Sequence, residues 1–186
     1  SEGSKALQNE NFQFIRSLPR FKRFLDKELE VIVACMLPPA PLAAGKNLFD
    51  AGDTSDGAYF VKNGLLNVVI PLDETRSKRV ARLGPGLMVG ELCLIKSEAR
   101  SLRVIAAEPT EVVCIDKEKF YTIKNKGEVA AYKLIHNISL TVCDRLRSTN
   151  VQIQDFGTQK AHGTTEDKIE SKEKNAWGKL VKLFAH

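Results

Sequence analysis

Hydrophobic residues near the start of the chain recur at helical spacing. The apolar positions between residues 9 and 37 lie around a break at Pro19, and they are Phe21, Phe24, Leu25, Leu29, Val31 and Ile32. This spacing is typical of the apolar face of a helix, and proline interrupts helices. We therefore predict short helices over residues 9–37.

The pattern changes to short runs of β-forming residues over residues 38–123. Turn residues separate these runs, as Lys62-Asn63-Gly64 separates GAYFV from LLNVVI. Asn-Gly adopts positive φ readily, so this triplet predicts a hairpin, and residues 73–78 predict a second, polar hairpin tip. Many short strands at such spacing are typical of an antiparallel barrel or jelly roll.

A second and longer helical pattern follows the strands. A stripe of mostly apolar residues recurs at intervals of three or four, and its members are Ala131, Ile135, Ile138, Val142, Leu146, Thr149 and Ile153. This stripe predicts one amphipathic helix of about 25 residues. Such a helix is longer than a small barrel needs, so we expect a homodimer through it; packing on its own barrel alone is the alternative.

These zones predict one α+β domain over residues 9–155. N-terminal helices occupy residues 9–37, an antiparallel β jelly-roll barrel occupies 38–123, and C-terminal helices occupy 124–155. Residues 156–175 are polar, which predicts a flexible linker. Residues 176–186 form a short amphipathic segment with Trp177, Leu180, Val181 and Phe184 on one helical face. This segment could dock on a partner or a membrane surface, fold back on the domain, or stay disordered.

Composition and charge disfavour several classes of function. The hydrophobic fraction of 43% is ordinary for a globular protein, and no apolar run approaches the ~20 residues of a membrane span. The net charge of +5 is spread along the chain, so electrostatic binding of nucleic acid is not favoured. Residues 157–186 are too short and polar for a winged helix. We therefore expect a cytoplasmic chain with no membrane span and no DNA binding.

Residue types that carry catalysis or bind metals are scattered along the sequence. The cysteines are Cys35, Cys93, Cys114 and Cys143, and the histidines are His136, His162 and His186. There is no CxxC pair and no histidine at metal-ligand spacing, which predicts buried, reduced thiols. We predict no catalytic residue, no metal and no cofactor, so the chain is not expected to be an enzyme.

One stretch, VGELCLIKSEARSLRV, combines a glycine with two opposite charges among apolar residues. Gly90 lets the backbone approach a ligand closely, and the first N–H groups of a short helix at Leu92 and Cys93 attract an anion. The guanidinium of Arg100 suits a phosphate, whereas the carboxylate of Glu91 suits a pair of hydroxyls such as a ribose. Mutual pairing of Glu91 and Arg100 to close the turn is the structural alternative.

The stretch resembles the phosphate-binding cassette of the cyclic nucleotide-binding domain family. The matching positions are Gly90-Glu91-Leu92-x-Leu94-Ile95 followed by Ala99-Arg100-Ser101. The resemblance extends over about residues 14–148 and includes SLPRF, AGKNLFDAGDTSDGAYFVKNGLLNV, LGPGLMVGEL and TEVVCIDKEKF in the family's order. It implies an eight-stranded jelly roll between helices, which agrees with the helix–barrel–helix pattern.

The resemblance also implies roles for individual residues. Glu91 would accept from the ribose 2′-hydroxyl, and Arg100 would pair with the cyclic phosphate. Ser101 and the N–H groups near Gly90 and Leu92 would add hydrogen bonds to the phosphate. Because Arg100 is not needed for core packing in this interpretation, we expect Arg100→Ala to leave the barrel folded.

Several positions depart from the family's pattern or match it less closely. Ala99 stands where many members have proline. Leu102 and Arg103 replace small or neutral residues, so that Leu102 could crowd the phosphate and Arg103 could point away or change selectivity. At the end of the long helix, Thr149 and Asn150 fall where two hydroxyl-bearing residues reach the adenine in the activator protein of this family.

Two functions of different classes are open at this stage, and a third is not expected. The resemblance favours a regulatory sensor that binds 3′,5′-cyclic AMP, or cyclic GMP, and relays binding through its C-terminal helices to a dimer or to an effector of unknown identity. The alternative is a degenerate barrel that acts as a constitutive protein-interaction module. A transcription factor is not expected, since the sequence has no DNA-binding segment after the long helix.

Overall fold

The computed structural model describes residues 2–71 and 76–160. Its first part is helical, with α1 at Glu2–Ser17, a 3-10 helix at Pro19–Phe21 and α2 at Asp26–Val33. The backbone N–H of Leu25 donates to Glu28 Oε2 over 2.8 Å and so fixes the start of α2. The rings of Phe21 and Phe24 lie 5.0 Å apart and both are buried. The helices predicted near the N-terminus are present.

Within the part of the chain that the structure describes, eight antiparallel strands follow these helices. They are β1 at Ala40–Leu42, β2 at Asn47–Phe49, β3 at Gly57–Asn63, β4 at Leu66–Pro71, β5 at Ser77–Leu83, β6 at Met88–Val89, β7 at Arg103–Ala106 and β8 at Thr110–Asp116. They make two four-stranded sheets, in the orders β1-β8-β3-β6 and β2-β7-β4-β5. The predicted α+β fold with an antiparallel jelly roll is confirmed.

The turn at Asn63-Gly64 does not make the predicted hairpin. The chain does reverse there, since Gly64 has φ of +87°, but β3 pairs with β6 and β8 whereas β4 pairs with β5 and β7. The turn therefore carries the chain from one sheet to the other. The sequence of a turn determines only where the chain reverses. Which strands pair with each other depends on how the two sheets pack together over the core. Strands β4 and β5 do pair antiparallel, as the second predicted hairpin requires. Residues 73–75 of its predicted tip lie outside the described part, and Ser77 and Lys78 belong to β5.

The barrel ends earlier than predicted, because helix α3 begins at Lys117 and ends at Asn125. Asp116 Oδ1 accepts from the backbone N–H of Lys119 over 2.8 Å, which caps the helix directly after β8. The predicted barrel limit at residue 123 thus lies inside α3. The β-forming pattern misled here because Phe120 is buried and Tyr121 is half-buried, as they would also be in a strand.

Helix α4 runs from Val129 to Lys160 and has 32 residues, so it is longer than predicted. It includes residues 156–160, which the sequence assigned to the linker; residues 161–186, with the rest of that linker and the amphipathic segment, lie outside the described part. Ala131, Leu134 and Ile138 are fully buried on α4. Asn137 Nδ2 donates to Arg20 O over 2.9 Å, and Lys133 Nζ binds Glu28 Oε2 over 2.6 Å. Helix α4 therefore packs on the N-terminal helices.

Two hydrophobic clusters hold these layers together. One joins the helices to the sheet β1-β8-β3-β6 and contains Phe21, Phe60, Phe120 and Leu134. The other lies among the barrel strands and contains Leu66, Val68, Leu83 and Val104. The second 3-10 helix, Glu91–Leu94, contributes Cys93 and Leu94 to the first cluster. The segment that carries the candidate chemistry is thus anchored in the core.

Candidate ligand-binding site

A cavity of about 630 Å³ opens between the barrel, the segment 89–102 and helix α4. The barrel contributes mainly apolar side chains, including Phe49, Val68 and Val104, and α4 contributes Ser139, Val142 and Cys143. Six of the candidate residues lie in the cavity wall, and they are Gly90, Glu91, Leu92, Cys93, Arg100 and Ser101. The structure therefore brings together all the candidates of the cassette.

Gly90 occupies a position that admits no side chain. It lies in the left-handed region, with φ of 72°, just before the 3-10 helix Glu91–Leu94. A Cβ at this position would come within 2.3 Å of Arg100 Nη1. Glycine is required here for two reasons: the left-handed backbone disfavours other residues, and the guanidinium packs against the main chain.

Arg100 is the central cation of the cavity, and its side chain is only 3% exposed. Its Nη2 donates to Asp56 Oδ1 and to the carbonyl oxygen of Gly57, each over 2.7 Å, and its Nη1 donates to the carbonyl oxygen of Gly90 over 3.2 Å. Its Cζ lies 4.1 Å from the ring centroid of Phe49. Asp56, Gly57 and Phe49 hold the guanidinium, and the sequence reasoning missed all three.

These contacts give Arg100 a structural role that the sequence did not predict, because its guanidinium and its backbone both bind the loop before β3. Without Arg100 the carbonyl group of Gly57 would lose a donor, and a buried group left unpaired costs roughly 1–3 kcal/mol. The carbonyl group of Gly90 would keep the backbone N–H of Cys93, over 3.4 Å. The backbone of Arg100 also joins the loop before β3, because its N–H donates to Asp53 O and its carbonyl accepts from Gly52 N–H, both over 2.8 Å. Arg100→Ala should therefore lower stability as well as alter the cavity.

Asp56 links Arg100 to the neighbouring tyrosine. Its Oδ1 accepts from Arg100, and its Oδ2 accepts from the hydroxyl of Tyr59 over 2.6 Å. Burial and this hydrogen bond raise the pKa of Tyr59, which stays a neutral donor. The pattern DTSDGAYF contained the relevant signal, since Asp56 and Tyr59 sit three residues apart at the start of β3.

The 3-10 helix places one acidic and one thiol group in the wall. Glu91 is only 4% exposed although it is a carboxylic acid. Cys93 is buried, and burial raises the pKa of its thiol. The hydroxyl of Tyr121 donates to the carbonyl oxygen of Cys93 over 2.8 Å, which ties α3 to this wall. Leu92 is 41% exposed and lies at the rim of the cavity.

The structure shows where Leu102 and Arg103, the two departures from the family's pattern, are located. Leu102 is half-buried and lies in the cavity wall. Arg103 points elsewhere, because its Nε donates to Asp50 Oδ1 over 2.7 Å. This hydrogen bond holds the pKa of Asp50 below its usual range. The second cation is thus paired outside the cavity wall, whereas the bulk of Leu102 does enter it.

Helix α4 contributes to the cavity earlier along the chain than the sequence suggested. Thr149 and Asn150 lie on α4, but their side chains fall outside the described ones. Among the described side chains of α4, those in the cavity wall are Ser139, Val142 and Cys143, of which Cys143 is exposed. Of these, only Val142 belonged to the predicted stripe, because Ser139 and Cys143 sit at the edge of the apolar face.

Among the described residues, no helix is both long and apolar enough to cross a membrane. In the same residues, no group of three or more histidine, cysteine, aspartate and glutamate side chains is close enough to hold a metal ion.

Comparison with known proteins agrees with this geometry. Residues 40–126 match the family model described as "Cyclic nucleotide-binding domain". The chain is 27% identical over 109 residues to the Cyclic AMP receptor protein of Thermus thermophilus; the match covers 59% of this chain and 49% of that protein. The chain thus spans about half the length of this curated relative.

Solved structures show the same fold at lower identity. The Catabolite Activator Protein of Thermus thermophilus superposes with a TM-score of 0.63 and 23% identity, covering 75% of this chain and 63% of that chain. The regulatory subunit of a cAMP-independent protein kinase A from Trypanosoma brucei superposes with a TM-score of 0.63 and 19% identity, covering 75% of this chain and 48% of that chain. This chain therefore shares its fold with both proteins.

Proposed function

We propose that this chain, whose residues 40–126 match the cyclic nucleotide-binding domain family model, is a cytoplasmic regulatory protein of that family that binds 3′,5′-cyclic AMP in the cavity beside α4. The observation that carries the proposal is a guanidinium that is almost fully buried in an otherwise largely apolar cavity. Buried cations are costly and are retained where a partner or a ligand uses them. Binding, rather than catalysis, is the proposed activity.

The proposed contacts divide the nucleotide between two charged side chains. Arg100 neutralises the cyclic phosphate, with the Ser101 hydroxyl and backbone N–H groups near Gly90 and Leu92 as further donors. Glu91, which accepts hydrogen bonds when ionised, binds the ribose 2′-hydroxyl. The apolar barrel wall suits the flat faces of the purine, and Thr149 and Asn150 are proposed to read its edge from α4. Cyclic GMP is the second ligand to test.

The relay of binding is proposed to run through α4. Ser139, Val142 and Cys143 line the cavity on one side of this helix, while Ile138 and Leu134 pack on the N-terminal helices. A ligand that contacts the cavity-lining residues of α4 shifts the position of this helix only if it binds two alternative helix positions with different affinity. Tyr132 and Leu140 are more than half exposed on α4, which supports a homodimer through this helix.

Titration calorimetry with cyclic AMP, cyclic GMP and linear AMP tests the proposal. Arg100→Ala should weaken cyclic AMP binding roughly 30- to several-thousand-fold, since truncating one partner of a buried charge pair costs roughly 2–5 kcal/mol. Arg103→Ala is the matched control, because it removes the same charge from a residue paired outside the cavity wall, and it should bind within threefold of wild type.

Glu91→Ala separates the ribose contact from the phosphate contact. We expect wild type to prefer cyclic AMP over its 2′-deoxy analogue by roughly tenfold, the value of one charge-assisted hydrogen bond. Glu91→Ala should bind both ligands equally. No heat from wild type at millimolar cyclic nucleotide would overturn the proposal.

A second candidate is a degenerate barrel that serves as a constitutive protein-interaction module. The observation that favours it is Leu102, whose side chain enters the cavity wall where family members carry small residues. Leu102→Ala distinguishes the two. It should leave wild-type affinity within a few-fold if the cavity binds nucleotide, whereas it should create binding that wild type lacks if Leu102 blocks the cavity.

A further inference from the structure

Two buried polar atoms in the cavity wall have no hydrogen-bond partner among the described residues. They are the hydroxyl oxygen of Ser55 and the Nε of Arg100. Ser55 is 3% exposed and Arg100 is 6% exposed as whole residues, and both lie in the wall of the same cavity. Buried polar groups in native proteins are normally paired. Two unpaired groups in one cavity therefore indicate that something else completes their hydrogen bonds.

The backbone holds these two residues beside each other. Residues 52–56 form the loop before β3, and this loop binds Arg100 at both ends. The N–H of Arg100 donates to Asp53 O over 2.8 Å, and its Nη2 donates to Asp56 Oδ1 over 2.7 Å. Ser55 lies between these two contacts, so its position relative to the guanidinium is fixed from both sides.

The chemistry of the two atoms selects the ligand atom. The Nε–H of arginine can only donate, and a serine hydroxyl can donate as well. Asp56, the carboxylate nearest along the chain, is already occupied by Arg100 Nη2 and by the hydroxyl of Tyr59. Both donors are buried, and one of them belongs to the charged guanidinium. They therefore suit a negatively charged oxygen better than a neutral one.

We propose that Ser55 is a further ligand-binding residue, whose hydroxyl donates together with Arg100 Nε–H to one exocyclic oxygen of the ligand's phosphate. The inference rests on the proposed function and deepens it. It also changes how Arg100 acts: its Nη atoms keep their bonds to Asp56, Gly57 and Gly90, and the phosphate binds through the Nε side. The guanidinium then does not leave its ion pair when ligand binds.

Ser55→Ala tests the inference, with Thr54→Ala as the matched control. Thr54 is the adjacent residue and is exposed, so its substitution removes a hydroxyl from the same loop outside the cavity wall. Titration calorimetry with cyclic AMP should show about 10- to 100-fold weaker binding for Ser55→Ala, as expected for a hydrogen bond to a charged group. Thr54→Ala should bind within twofold of wild type.

Thermal melting without nucleotide distinguishes ligand binding from a purely structural role of Ser55. If the role were structural, Ser55→Ala would lower the melting temperature. Ser55→Ala removes an unpaired buried hydroxyl, so its melting temperature should equal or exceed that of wild type. Ser55→Gly, which also lacks the hydroxyl, should lose the same affinity even if it melts earlier. Weaker binding by both variants assigns the effect to the hydroxyl rather than to folding.

The two diastereomeric phosphorothioates of cyclic AMP identify the oxygen. Sulfur replaces one or the other exocyclic oxygen and is a weak acceptor, so wild type should discriminate between the diastereomers and Ser55→Ala should discriminate several-fold less. If wild type binds cyclic AMP and Ser55→Ala binds within twofold of it, the inference fails while the proposed function stands. If wild type binds no cyclic nucleotide, the proposed function fails, and this inference fails with it.

Discussion

At the scale of single residues, Arg100 decides both the stability of the loop and the chemistry of the cavity. Burial of a guanidinium is unfavourable unless its donors are paired. Here Asp56 and two carbonyl groups pair with the Nη groups, and the ring of Phe49 lies against the guanidinium. The sequence predicted Arg100 and Glu91 from their residue types within a motif. It could not predict Asp56 and Ser55 as neighbours of Arg100, because they lie more than forty residues away along the chain and only the fold brings them close.

Removing the charge of Asp56 should shift stability and binding in opposite directions. Asp56→Asn preserves the shape but leaves the guanidinium uncompensated, so the free energy of unfolding without nucleotide should fall by about 1 kcal/mol. The value is small because the Asp56 side chain is 69% exposed and its charge is screened. Saturating cyclic AMP should restore most of this loss, since the phosphate replaces the missing charge.

Urea unfolding with and without cyclic AMP measures both quantities. Glu118→Gln is a control on an exposed carboxylate far from the cavity wall, and it should change stability by less than about 0.5 kcal/mol in either condition. An equal loss for Asp56→Asn with and without nucleotide would show that the phosphate does not share the electrostatic environment of Asp56.

At the scale of elements, the sequence pattern predicted the buried faces of helices and the chain reversals better than it predicted which strands pair. The 3.6-residue period of α4 placed Ala131 and Ile138 on the buried side, where the structure has them. The runs of β-forming residues predicted strands, but the Asn63-Gly64 turn assigned β3 and β4 to one hairpin although they belong to different sheets. A strand's own sequence fixes which of its faces is apolar, whereas its neighbours depend on how two curved sheets close over one core. Pairing is therefore the part of the fold that local sequence determined least.

Helix α4 offers a matched pair of leucines that tests how it packs. Leu134 is fully buried against the N-terminal helices, and Leu140 is 51% exposed. Leu134→Ala should lower the free energy of unfolding by roughly 2–4 kcal/mol, since it leaves a cavity in the core. Leu140→Ala should change it by less than about 0.5 kcal/mol in a monomer.

Urea unfolding at two protein concentrations extends this test to the proposed homodimer. A loss for Leu140→Ala that grows with protein concentration would place Leu140 in an interface between two copies, because dimer stability depends on concentration. Equal losses for both leucines without any concentration dependence would contradict the packing of α4 described above.

At the scale of the whole molecule, three of the four thiols are built into the core. Cys35 and Cys93 belong to the cluster between helices and sheet, Cys114 is buried on β8, and Cys143 is exposed on α4. The sequence predicted reduced, buried cysteines from their apolar neighbours, and the structure agrees for the first three. Cys143 differs because its position on α4 faces the rim of the cavity, which the helical stripe alone did not reveal.

The buried thiols should make the protein lose stability in mildly alkaline solution. Burial raises the pKa of Cys35 to about 11 and that of Cys114 to about 12, from an ordinary value of 9.0. At a pH between the ordinary pKa and the raised pKa, the thiols of the unfolded chain release protons that the folded protein retains. The free energy of unfolding is therefore constant below about pH 8 and falls above pH 9. At about pH 10 each thiol should contribute roughly 1.4 kcal/mol of loss, or about 3 kcal/mol together.

Urea unfolding at pH 7, 9 and 10 with a reductant present measures how steeply the free energy of unfolding falls with pH. Cys35→Ala/Cys114→Ala should be less stable than wild type at pH 7 but show a flatter decline, whereas Cys143→Ala should decline in parallel with wild type. If the double variant declines as steeply as wild type, other groups release the protons and the thiols are not the cause.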